Sequence, residues 1–113
     1  MSKLDEKIAL YNEKMKEIES DYDASLLEKI TRSLGPSIYN KDAETIACSD
    51  QSERDRVRDS FLSKKLGLTE DQESLDKAIL EVCETMGSAN RNKYRAIFYY
   101  FLVKKFQKES VYA

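Results

Sequence analysis

Arg91, Lys93 and Arg95 lie in the stretch GSANRNKYR, residues 87–95, where the pattern predicts the first turn of a helix. Free backbone N–H groups and the helix dipole make such a place attractive to anions. Three cations there are electrostatically out of place unless something negative sits among them. With Asn90 as the N-cap and Ser88 adding a hydroxyl, the residues Ser88, Asn90, Arg91, Lys93 and Arg95 form a candidate site for a phosphate, sulfate or carboxylate. The anion could belong to a small metabolite, a nucleic-acid backbone, an acidic partner segment or this chain's own C-terminus. The competing reading is structural. The segment just upstream carries Glu70, Asp71, Glu73, Asp76, Glu81 and Glu84 against Lys77, whereas residues 91–108 carry Arg91, Lys93, Arg95, Lys104, Lys105 and Lys108 and no acid. Two helices joined by a short turn lie antiparallel, so these opposite charges can neutralise one another within the chain. Spacing alone does not pair them closely: Glu81 and Glu84 point away from the apolar stripe, and Asp76 is about two to three turns distant. We take the structural reading first and keep an external anion as its alternative.

Other residues capable of chemistry lead less far. Cys48 precedes a predicted helix start, a position that can lower a thiol pKa. The chain has no histidine to serve as its base, and the neighbouring Asp50 opposes a thiolate. A structural cysteine is therefore favoured over a reactive one. Cys83 falls on the inward face of its helix and reads as a small buried hydrophobe. The two cysteines are expected as separate thiols, since a reducing compartment disfavours disulfides, and their spacing matches no metal site. Without histidine, neither a Ser-His or Cys-His pair nor a His-ligated zinc site can be assembled. No carboxylate pair sits in an evidently apolar setting, and no glycine-rich phosphate loop exists. No catalytic residue, metal or cofactor is expected. Tyr94, Tyr99 and Tyr100 could stack nucleobases if exposed, but their apolar neighbours predict burial, so nucleic acid is a disfavoured partner.

These residues must be positioned by helices. At 113 residues the chain is one domain's worth, and its 41% hydrophobic content supports a core. The net charge of −2 argues against a nucleic-acid-coating role. No apolar run is long enough to span a membrane, and the charged opening MSKLDEKIALYNEK lacks a signal-peptide block. A cytoplasmic location is expected.

Leu4, Ile8, Tyr11, Met15 and Ile18 recur at steps of four and three, predicting a helix over about 3–19 with one narrow apolar stripe. Asp21-Tyr22-Asp23 supplies a cap for a second helix, about 24–34, ending at Gly35-Pro36. Residues 36–49 read as irregular chain with a turn or two of helix, tucking in Ile38, Tyr39 and Ile46. A third helix, capped by Asp50 or Ser49 and carrying Val57, Phe61, Leu62 and Leu66, runs to Gly67. A fourth follows the Thr69-Glu70-Asp71-Gln72 capping box, with Leu75, Ala78, Ile79, Val82, Cys83 and Met86 inward. The fifth, about 91–106, holds six of the eleven aromatics and has almost no polar side. A helix apolar all round is buried at the centre, or has one side covered by a second copy of the chain.

The segments LGPSIYN (34–40), ACSD (47–50), FLSKKLG (61–67), VCETMG (82–87), NRNKYRAIFYYFLVKKF (90–106) and ESVY (109–112) resemble a family of small bacterial domains of unknown function. The resemblance covers nearly the whole chain. It implies a bacterial helical domain and assigns no activity or site. The expectation is an all-α single domain, 1–113, of five main helices with the C-terminal one central. Its expected role is a non-enzymatic interaction or structural module that self-associates or binds another protein, with binding of a small anion at 88–95 as the alternative.

Overall fold

The stripe of apolar residues near the N-terminus makes a helix because every third or fourth side chain can leave water together. In the computed structural model, which describes residues 2–87 and 93–112, α1 spans Lys3–Ile18 and sinks Tyr11 and Met15 fully into the core. Ser2 caps it by accepting from the Asp5 N–H. Helix α2, Ala24–Ser33, is capped by the Asp23 carboxylate and buries Leu26, Leu27, Ile30 and Thr31. The Thr31 hydroxyl donates back to the Leu27 carbonyl at 2.8 Å, so this buried polar group is satisfied.

Residues 36–49 are more ordered than the sequence suggests. A 3₁₀ turn, Gly35–Tyr39, begins with proline near its start and buries Ile38. A single turn of helix follows, α3 at Lys41–Glu44, capped by Asn40. Ile46 is buried as expected, but Tyr39 is 45% exposed rather than tucked in.

Helix α4, Gln51–Arg56, is capped by Asp50, not Ser49. It continues without a break into a π-helix, Val57–Lys65, in which the Leu66 N–H reaches the Phe61 carbonyl five residues back. The spacing of the apolar residues explains the change of winding. At 3.6 residues per turn, Val57 and Leu66 lie about two and a half turns apart and would face opposite sides. The wider i→i+5 winding brings Val57, Phe61, Leu62 and Leu66 to one side, and all four are buried. Gly67, at φ +67°, lets the chain turn out of this helix.

Helix α5, Gln72–Met86, buries all six predicted residues. Its cap is Asp71, two residues beyond Thr69. Helix α6 spans Arg95–Lys105 and starts four residues later than the sequence predicts. The reason lies in the chain just before it. The Lys93 carbonyl accepts from the Ile46 N–H at 2.8 Å, and Tyr94 pairs with Thr45 in a single antiparallel bridge. Residue 94 is therefore extended and cannot join the helix. A final 3₁₀ turn, Glu109–Tyr112, rests on α2.

The architecture is all-α and single-domain, with one continuous core. Ala96, Ile97, Phe98, Tyr99, Tyr100, Leu102 and Val103 of α6 are all buried, and helices α1, α2, α3 and α5 pack around it. The central position of this helix is as expected. Its sheath comes from its own chain, with Arg95 and Phe101 half-open and Lys104 and Lys105 in water. No helix is long and apolar enough to cross a membrane among the described residues.

Candidate functional site

The site predicted at 87–95 falls partly outside the described residues: Ser88, Asn90 and Arg91 are not among them. Lys93 and Arg95 are, and both are drawn inward. Lys93 is 8% exposed and is not without a partner. Its carbonyl pairs with Ile46, as described above.

Arg95 is the hub. Its Nε donates to the Ala43 carbonyl at 2.6 Å, one terminal nitrogen to the Tyr99 hydroxyl at 3.0 Å, and the other to Glu53 Oε1 at 2.6 Å. The Arg95 and Glu53 side chains retain 16% and 13% of their exposure. Burial works against the charge on this guanidinium, but Tyr99 and Glu53 outweigh that cost and hold its pKa above the ordinary value. Arg56 reaches the other Glu53 oxygen from solvent, at 3.2 Å. The negative partner that three clustered cations demand is, for Arg95, a glutamate from α4. Charge balance along the sequence points to α5, but there Glu81 pairs with Lys105 at 2.9 Å and Asp76 with Arg58 at 3.1 Å.

A second polar cluster flanks the first. Glu44 Oε2 accepts from Lys7 Nζ at 2.7 Å and from the Tyr11 hydroxyl at 2.6 Å. The Tyr11 ring is 1% exposed and lies 5.1 Å from the ring of Tyr94. Burial, and then the Glu44 carboxylate, push the Tyr11 phenol above its ordinary pKa. Thus α3, though one turn long, is held from both sides. Its Ala43 carbonyl is gripped by α6 and its Glu44 side chain by α1.

The cysteines correct an expectation. Cys48 and Cys83 form a disulfide, with Cα atoms 6.1 Å apart, rather than remaining separate thiols. Cys48 is half-exposed, its carbonyl accepts from Arg54, and its sulfur ties residues 45–50 to α5. Cys83 is inward as predicted. Composition could not reveal the pairing, because a separation of 35 residues carries no motif. Tyr99 and Tyr100 are buried, and Tyr94 is half-buried against Tyr11, so the rings considered for base stacking are committed to the core. No cluster of metal-ligating side chains occurs among the described residues.

The class is that of a small all-α domain whose strongest polar groups clamp its central helix. The chain belongs to the protein family of unknown function DUF2853, whose family model matches residues 10–110. Among curated proteins, none matches.

Proposed function

We propose that this chain is a non-enzymatic structural or protein-interaction module, with the cations of the α6 entrance serving the fold. One observation carries the reading: each of the three Arg95 nitrogens donates within the chain, to Ala43, Tyr99 and Glu53. With three of its five N–H groups engaged and its charge paired with Glu53, this guanidinium is an inferior site for an external anion. Since α6 is sheathed by its own chain, no second copy is needed to cover it, and the partner in this reading is a different protein. The cytoplasmic assignment belongs to the same proposal. The Cys48–Cys83 bridge weighs against it, because cytosolic thiol pools keep most protein thiols reduced.

The test is charge reversal at the clamp combined with an anion titration. Arg95→Glu is expected to lower Tm sharply, and inorganic phosphate is expected to leave the wild-type Tm unchanged. A variant that melts normally, together with phosphate stabilisation seen in the wild type alone, would establish the anion-binding alternative instead. Sedimentation velocity at high micromolar concentration separates the partners. A monomer supports a different protein, and a dimer restores the second copy.

A further inference from the structure

The π-helix does more than bury its apolar residues. In an α-helix, residues five apart are turned about 140° from each other, whereas i→i+5 winding stacks them. Ser60 and Lys65 are five apart, and Phe61 lies between them. All three line one surface cleft of about 220 Å³, together with Ser33, Tyr99 and Tyr112 from neighbouring elements. Regular α winding would turn Ser60 and Lys65 away from each other.

The lining is specific in its chemistry. The Phe61 and Tyr99 rings stack at 3.7 Å between centroids, 10° from parallel. Tyr112 is half-buried in the cleft, and Lys65 Nζ lies 5.4 Å from its ring centroid. Ser60 adds a hydroxyl, while that of Ser33 already donates to the Ile30 carbonyl at 2.6 Å. Among the described residues, no carboxylate lies within ion-pair reach of Lys65.

We propose that this cleft binds a small aromatic carboxylate of the benzoate class. The ring lies along Tyr112 and the small exposed parts of Phe61 and Tyr99, and the carboxylate meets Lys65 Nζ and the Ser60 hydroxyl. Size agrees: an apolar cavity of about 150 Å³ holds benzene, so about 220 Å³ admits one ring with a small polar substituent. An aromatic lining favours a ring, and an exposed ammonium that meets no carboxylate among the described residues favours an anion over a cation.

The test is a titration of the ¹⁵N-labelled full chain, followed by amide chemical shifts, with benzoate, benzyl alcohol and benzylamine as probes. Benzoate is expected to give saturable shifts centred on Ser60, Phe61, Lys65 and Tyr112, and benzylamine none. Lys65→Met is expected to weaken benzoate about tenfold, the loss of one charge-assisted contact, while leaving benzyl alcohol unchanged. Ser60→Leu, which fills the cleft, is expected to abolish both. Ser60 and Lys65 are both exposed, so neither variant threatens the fold. The proposal is overturned by the absence of saturable benzoate shifts, by shifts mapping to another surface, or by benzoate affinity that ignores either substitution.

Discussion

Reducing the Cys48–Cys83 bridge should lower Tm by about 15 °C without altering the native fold. The bridge links residues 35 apart in sequence. Loop-closure entropy for that length is about 13 cal/mol/K, or about 3.8 kcal/mol at 25 °C, removed from the unfolded chain. Unfolding entropy of about 2.1 cal/mol/K per residue gives a chain of this size about 240 cal/mol/K at its midpoint, and the quotient is the expected shift. The folded state should change little, because residues 43–46 have other attachments. Ala43 holds Arg95, Glu44 holds Lys7 and Tyr11, and Ile46 donates to Lys93. The assay is calorimetry with and without a phosphine reductant, on the wild type and on Cys48→Ser. Wild type should fall to the Tm of the variant, which should ignore the reductant. Intact mass of the unreduced protein should be lighter by two hydrogens. Equal Tm values with and without reductant, or a mass showing two free thiols, would refute the reasoning.

The clamp makes further predictions. Arg95→Ala should cost about 3 kcal/mol by taking from the largely buried Glu53 its inner partner and leaving it only the solvent-side Arg56, and Arg95→Met combined with Glu53→Leu should recover most of that loss; urea denaturation measures both. Because the folded-state pKa of Tyr11 is raised above its ordinary value of 10.0, its contribution is fully present below pH 10 and falls away as pH rises beyond it. Tyr11→Phe should flatten the alkaline arm of a Tm–pH profile, and an unchanged arm would exclude this source. The Asp71 carboxyl is held below its ordinary pKa by hydrogen bonds from Ser74. Its cap therefore contributes above the unfolded-state pKa and is lost as pH falls through the folded one. Asp71→Ala should lose that part of the acid sensitivity in melts between pH 5 and 2.

Helices α1, α2 and α5 were legible because their apolar residues keep a 3.6-residue rhythm and their ends carry side chains that bond backbone N–H groups. Asp23 and Asp50 cap where expected. The segments that failed are those ordered by partners distant in sequence. Residues 41–46 take their shape from Lys7, Tyr11, Lys93 and Arg95, and nothing local in KDAETI announces them. The start of α6 moved for the same reason: its first predicted turn shares backbone hydrogen bonds with that segment, and a chain already paired in an extended form cannot wind. For Arg95 the charge pattern implies a negative partner nearby, and that partner is Glu53 of α4 rather than an acid of α5. Charge balance along the sequence sums a whole element, whereas Arg95 responds only to what lies within a few ångströms, and Glu53 arrives there through tertiary folding.

The third helix carries the more general lesson. Val57, Phe61, Leu62 and Leu66 are spaced by fours and fives, and such a set cannot share one side of an α-helix ten residues long. Two outcomes were open: Leu66 could face water, or the backbone could rewind. Exposing a leucine forfeits roughly 2 kcal/mol of burial, while π winding keeps backbone hydrogen bonds at poorer geometry. The chain rewinds, and Leu66 is 4% exposed. The apolar period therefore determined the winding, not merely the direction of a helix face. The same choice carries exposed residues along with it. Once Leu66 turns inward, Ser60 and Lys65 are brought to one wall beside Phe61, whether or not a ligand is present. The cleft thus comes with the core packing, and a substitution relaxing that packing, such as Leu66→Ser, should separate the Ser60 and Lys65 side chains without touching either.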